Sequence, residues 1–172
     1  FTFVNNPLYS ETNYIYSIYC ARNFLKDDDL LFMHGDLVFE DSVLDEVLSF
    51  EGSCMAVSST AELPQKDFKA EIHDGKIVNV GIEFFNSALA AQPLYKLRKE
   101  DWNLWLEEIE AFCARNDVKC YAEKALNMVS TQMNLKPLDM HEKLCCEVDN
   151  AQDLAIVSDA LKRLRQRTVY LC

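Results

Sequence analysis

Along the chain, short wholly apolar runs alternate with longer stretches whose apolar residues recur every three to four positions. These are the signatures of covered strands and of amphipathic helices. Phe1-Thr2-Phe3-Val4 reads as a strand or its tail, ended by Asn5-Asn6-Pro7. Thr12 to Lys26 reads as a helix with Ile15, Ile18 and Leu25 on one face. Leu30 to Met33 is continuously apolar, as in a strand covered on both faces. Asp41 is placed to cap a short helix whose inner side is Val43, Leu44, Val47 and Leu48. Cys54 to Ser58 is a further strand. Phe68 to Ile72 and Lys76 to Ile82 alternate on either side of His73-Asp74-Gly75, which predicts a hairpin, since Asp-Gly tolerates positive φ.

Lys99 to Arg115 is the clearest helix. Trp102, Trp105, Leu106, Ile109, Phe112 and Cys113 form its inner stripe, a core pattern, while Glu107, Glu108 and Glu110 lie elsewhere. Tyr121 to Met133 reads as a helix and Leu135 to Met140 as a strand. Asn150 caps a last helix, with Asp153 at its third position and Leu154, Val157, Leu161 and Leu164 as its buried edge. Strands alternating with helices, with one inserted hairpin, predict an α/β domain. Its sheet is expected to be mixed and mostly parallel, with helices on both faces. Without linkers or repeats, residues 1–172 read as a single domain.

Composition adds exclusions. At 49% hydrophobic over 172 residues the chain can build a core. No apolar run approaches the roughly 20 residues that cross a bilayer, so membrane insertion is not expected. A net charge of −11 argues against nucleic acid, whose phosphates demand a basic face. The one basic cluster, Lys162, Arg163, Arg165 and Arg167, ends the last helix, where cations complement the dipole. Seven cysteines, at 20, 54, 113, 120, 145, 146 and 172, contain no Cys-x-x-Cys and read as reduced thiols of a cytoplasmic protein. His34, His73 and His141 have no metal-type spacing. Four glycines build neither a dinucleotide fingerprint nor a P-loop, and no G-x-S-x-G elbow exists.

The candidate chemistry lies in two aspartates. Asp36 and Asp149 stand at the ends of short apolar segments far apart in the chain. Ligands gather outside the carboxyl ends of strands in open α/β sheets. Two carboxylates meeting there could hold Mg²⁺ against substrate phosphates. The same positions equally suit turn formers or helix caps.

Four stretches then carry a resemblance. They are Asn6-Pro7-Leu8-Tyr9-Ser10-Glu11-Thr12-Asn13; His34-Gly35-Asp36-Leu37-Val38-Phe39; Asp67 to Ile72 with Gly75-Lys76-Ile77-Val78 and Gly81; and Cys146-Glu147-Val148-Asp149-Asn150-Ala151-Gln152-Asp153-Leu154. In this order they resemble the nucleotidylyltransferases of the sugar-phosphate and phosphocholine type. Ala90 to Leu97 and Lys119 to Glu123 are similar to the branch of phosphonoalkyl and phosphocholine cytidylyltransferases.

The resemblance implies the GT-A-like nucleotide-diphospho-sugar transferase fold. It also implies that the first β-α-β portion, with its glycine-rich phosphate loop, is not in this sequence. The implied reaction is Mg²⁺-dependent transfer from CTP to phosphocholine or 2-aminoethylphosphonate, releasing pyrophosphate. Asp36 and Asp149 would be the metal ligands, and Lys69 would neutralise phosphate near the reacting centre. Asn13 would contact the nucleotide, or else cap a helix. Tyr95, Tyr121 and Glu123 would receive a cationic acceptor head. The alternatives are a sugar-phosphate nucleotidyltransferase, a nucleotide-sugar transferase, and a non-catalytic remnant of the fold.

Overall fold

The computed structural model describes residues 1–169. In chain order the elements are α1 (Tyr14–Leu25), β1 (Leu30–Met33), β2 (Leu37–Phe39), α2 (Asp41–Ser49), β3 (Ser53–Ser58), β4 (Lys69–His73), β5 (Lys76–Gly81), β6 (Ala88–Leu97), α3 (Lys99–Ala114), α4 (Glu123–Val129), β7 (Leu135–Asp139), β8 (Cys145–Glu147) and α5 (Ala151–Val169).

The sheet is organised around β6. On one flank β6 pairs with β3. The other flank is shared end to end by β4, on Ala88 to Ala90, and β1, on Leu94 to Leu97. From the edge inward the order is β5, β4, β6, β3, β7, with β1 also on β6. The mixed α/β class holds, but the expected balance of strands is corrected. Among the described residues only β3 and β7 are parallel; the other pairings are antiparallel.

The reason is β6 itself. It returns through the middle of the sheet after the β4–β5 hairpin, against the direction of β1, β3 and β4. Its apolar character on both faces and its Pro93 hide it from a periodicity reading, since proline argues against a central strand. The fold tolerates Pro93 because the ladder slips there. Met55 faces Tyr95, yet Val57 faces Ala91, so Pro93 falls where no ladder N–H is required.

Alternation along β3 divides the interior. Met55 and Val57 meet Ile15, Tyr95, Trp102, Trp105 and Leu126 under α1, α3 and α4. Cys54 and Ala56 meet Val43, Val47, Leu94 and Met140 under α2. Both tryptophans are fully buried, as the stripe predicted. Their indoles donate to Leu25 O at 2.7 Å and Ala122 O at 2.9 Å, which satisfies the polar handle of each ring.

Several local expectations hold and others change. The hairpin turns at Asp74 (φ 49°) and Gly75 (φ 72°), both left-handed. Asn150 caps α5, its Oδ1 accepting from the N–H of Gln152 at 2.8 Å and of Asp153 at 3.2 Å. Phe1 to Val4, by contrast, is irregular and exposed. β1 is covered on one face only, with Leu31 and Met33 exposed. Asp41 opens α2, and Glu40 holds its cap position. The helix expected through Met133 stops at Val129 and gives way to a 3-10 turn, Ser130–Gln132. On α5 only Val157 of the expected edge is fully buried, and Leu154 is exposed.

The six described cysteines are free. Burial pushes the thiol of Cys54 to about 11 and that of Cys145 to about 12, which makes both poor nucleophiles. Cys172 and the side chain of Arg167 lie outside the described residues. No helix among those residues is long and apolar enough to cross a membrane.

Candidate functional site

A two-stranded ladder brings the two aspartates together. β2 and β8 pair antiparallel, with Leu37 opposite Glu147 and Phe39 opposite Cys145. One step beyond, Val148 N donates to Asp36 O at 3.0 Å. Asp36 immediately precedes β2 and Asp149 closely follows β8. Antiparallel pairing therefore delivers both carboxylates to the same end of the ladder. They line one cavity of about 240 Å³, with Tyr14, His34, Lys66, Asp67, Tyr121 and Glu147. The capping explanation for Asp149 falls away, because Asn150 supplies that cap.

The cavity sits where the sheet is split. β1 ends and β4 begins on the same flank of β6, leaving Ala91 to Pro93 between them. His34 N donates to Pro93 O at 3.1 Å and Ala91 N to Phe68 O at 3.0 Å, which fixes both lips of the gap. Binding groups at a discontinuity in the sheet can face a ligand with backbone already satisfied around them.

The electrostatics are those of crowded anions. Burial, then the neighbouring charges of Glu147, Asp36, Asp67 and Asp153, raise the Asp149 carboxyl. Burial, then Glu147 and Asp153, raise Asp67. Burial opposes charge on His34, but its hydrogen bond to Glu147 Oε1 at 3.1 Å, with Glu123 and Asp36 nearby, outweighs that and raises it. Among the described residues lining this cavity, Lys66 is the one fixed cation. One nitrogen of His34 and one oxygen each of Asp36 and Glu147 lie within 4.8 Å of one another, and His34 Nε2 is buried without a hydrogen-bond partner. An imidazole beside converging carboxylates is a donor set that fits a divalent cation.

The remaining sequence-derived candidates part company. Tyr121 lines the cavity, half-exposed, its ring edge-on to Phe68 at 5.1 Å. Tyr95 and Glu123 are buried behind it. The Glu123 carboxylate accepts from the hydroxyls of Tyr14 and, at 2.9 Å, Tyr95. Neither therefore presents a surface to an acceptor, because each is consumed in a core hydrogen-bond network. Lys69 is also buried. Its Nζ donates to Pro64 O at 2.5 Å and Asp67 O at 3.0 Å and lies 4.3 Å from the Phe85 ring centre. It latches the loop that carries Asp67 rather than facing the cavity. Asn13 caps α1, its Oδ1 accepting from Tyr14 N at 2.7 Å.

Sequence reasoning missed His34, Lys66, Asp67 and Glu147. A signal existed for two of them. His34-Gly35-Asp36 and Glu147-Val148-Asp149 share one spacing at the ends of two strands, so each aspartate has a second donor two residues before it. Glu62, Asp67, Glu147, Asp149 and Asp153 also line an adjoining cavity of about 270 Å³, walled by Ala90, Ile156 and Val157.

No family model and no curated relative matches this sequence. Solved structures do match the fold. The inositol-1-phosphate CTP transferase from T. maritima is 20% identical with a TM-score of 0.68, over 86% of this chain and 60% of that one. The CTP:phosphocholine cytidylyltransferase from Streptococcus pneumoniae is 13% identical with a TM-score of 0.66, over 91% of this chain and 67% of that one. A UDP-glucose pyrophosphorylase is 12% identical with a TM-score of 0.62, over 90% and 61%. The chain thus spans 60% of the first of these proteins and has the fold they share, the one the sequence resemblance implied.

Proposed function

We propose that this chain forms the cation and acceptor side of a nucleotidyl-transfer site. The transfer is from CTP to a small phosphate or phosphonate that carries its own ammonium group. A shared fold hosts many chemistries, so the site has to carry the reading. The observation that carries it is the convergence of Asp36 and Asp149 on one cavity at the split in the sheet.

In the proposed reaction an acceptor oxygen forms a bond to the α-phosphorus of CTP. The bond from that phosphorus to the bridging oxygen breaks, and pyrophosphate leaves with the electron pair. Such transfer depends on positioning and charge neutralisation and needs no protein nucleophile. Asp36 and Asp149 would hold Mg²⁺, which when bound would supply charge neutralisation at the phosphoryl oxygens. Lys66 stands at the cavity wall to meet the acceptor's anionic end, the role the sequence assigned to Lys69. Tyr121 offers a ring face to the ammonium group. Asp67 and Asp153 offer carboxylates in the adjoining cavity. Glu123, Tyr95 and Tyr14 brace this wall from within.

This arrangement favours phosphocholine or 2-aminoethylphosphonate over a hexose 1-phosphate, which brings no cation into an anionic cavity. The phosphocholine enzyme among the similar structures supports that choice. The test is pyrophosphate release by the complete natural polypeptide with CTP and a panel of acceptors. Cationic acceptors should lead by roughly tenfold, the worth of one cation desolvated on an aromatic face. A lead for glucose 1-phosphate would overturn the acceptor class. Absence of CTP-dependent release with every acceptor would overturn nucleotidyl transfer.

A further inference from the structure

We propose that Lys69 is a positioning residue. It joins the two loops that wall the site and sets where Lys66 and Asp67 stand, without itself touching an acceptor. The role rests on the nucleotidyl-transfer reading and adds to it the group that shapes the acceptor wall.

The first loop joins β3 to β4, and its ends are fixed. At the β3 end, Ser59 N donates to Asp139 Oδ1 at 3.0 Å and Thr60 Oγ1 to His141 O at 2.7 Å. At the β4 end, Phe68 O accepts from Ala91 N at 3.0 Å. Between these ends, Glu62 and Pro64 line one cavity, Lys66 the other and Asp67 both. Among the described residues, the only hydrogen bonds made by residues 62–67 are the two that Lys69 Nζ donates, to Pro64 O at 2.5 Å and Asp67 O at 3.0 Å. Backbone with so few bonds opens at low free energy. One ammonium therefore decides whether this wall is formed.

The second loop joins β5 to β6. Its base folds tightly on Gly81, where a Cβ would stand 2.7 Å from Glu83 Oε2 and 2.9 Å from Phe84 Cε2. Just beyond, the Phe85 ring centre lies 4.3 Å from Lys69 Nζ. A cation over an aromatic face is held there electrostatically. Ile82 of the same loop lines the cavity with Lys66 and Asp67. The ammonium is thus shared by two loops that are not neighbours in the chain, and each steadies the other through it.

Direct contact with an acceptor does not fit this geometry. Lys69 is fully buried, outside the lining of either cavity. Two carbonyls and a ring face engage its donors, so it acts through the residues it holds.

The test pairs Lys69→Met, which keeps the stem and removes the charge, with Lys69→Arg, which keeps the charge. Backbone amide order parameters, measured by NMR on the chain without ligand, read the loops independently of turnover. In Lys69→Met, residues 62–67 and 82–87 should both fall below about 0.6, while β4 and β6 stay near about 0.85. Lys69→Arg should keep both loops close to wild type. In the complete natural polypeptide with CTP, Lys69→Met should raise the KM for 2-aminoethylphosphonate or phosphocholine roughly tenfold, because the acceptor must then order Lys66 and Asp67 itself. kcat should stay nearly unchanged, and Lys69→Arg should restore most of the KM. On the unmodified protein, saturating 2-aminoethylphosphonate should shift the amide resonances of Lys66 and Asp67 and leave that of Lys69 Nζ in place. That measurement stands even where a variant misfolds. Loops that stay rigid in Lys69→Met, a kcat that collapses at unchanged KM, or an Nζ resonance that moves with the acceptor would each overturn the role. Loosened loops without CTP-dependent pyrophosphate release from any acceptor would sustain Lys69 as the junction of the two loops and remove the transfer reading alone.

Discussion

Replacing Glu123 with alanine should cost more than any other single polar change near the site. Its carboxylate is almost fully buried and accepts from the hydroxyls of Tyr14 and Tyr95. Alanine leaves both hydroxyls unpartnered. Each such loss costs about 1–3 kcal/mol, and Tyr14, only half-buried, counts at the lower end, so the sum is about 2–5 kcal/mol. Against the ~5–15 kcal/mol that holds a typical domain, this is a large fraction. Glutamine is the control. Its amide oxygen accepts from one hydroxyl and its NH₂ donates to the other, for a cost under about 1 kcal/mol.

The two forms also separate with pH. Burial raises the Glu123 carboxyl above its ordinary value, with both tyrosine hydrogen bonds opposing. A group whose folded pKa is raised contributes stability that is fully present below the unfolded value, about 4.3, and is lost as pH rises through the folded value. The wild type should therefore lose stability relative to Glu123→Gln as pH rises from 4 toward neutrality. Urea unfolding of the three proteins at pH 4.5 and pH 7.5 measures both effects. A Glu123→Ala cost under about 1 kcal/mol, or a glutamine variant that loses ground as pH rises, would refute the buried-carboxylate account.

Other outcomes follow from the same contacts. Asp149→Asn should raise the metal-free melting temperature slightly, by relieving repulsion from Glu147, Asp36 and Asp67, while weakening divalent-ion binding; a scan with and without EDTA reads both. A saturating divalent ion should stabilise the chain by about 2.7 kcal/mol at a hundred times its dissociation constant, and Asp36→Asn should remove most of that gain in calorimetry. Lys69→Met should free the loop at 59–68 by removing donors to Pro64 O and Asp67 O, seen as faster limited proteolysis there with ion affinity retained. Trp105→Ala should cost about 3–5 kcal/mol, enough to show as loss of cooperative thermal unfolding.

What the sequence determined by itself is local or periodic. The Trp102–Trp105 stripe, the Asp74–Gly75 turn, the Asn150 cap and the α/β alternation are set by contacts within a few residues, which composition and spacing encode directly. Asp36 and Asp149 stood out in the chain because each follows a short apolar segment, but their convergence was decided by the pairing of β2 with β8. Only the tertiary structure decided the rest. β6 is central because three strands pair with it, and nothing within its ten residues records those partners. Tyr95 and Glu123 look like recognition groups in the chain, yet they are enclosed when α1, α4 and β6 close around them. Lys69 looks like a phosphate ligand until its ammonium finds two carbonyls in its own loop. His34 gains Glu147 only through the β2–β8 ladder, a pairing across more than a hundred residues. A residue's type states what it can bond, but the long-range pairings of strands decide what it meets.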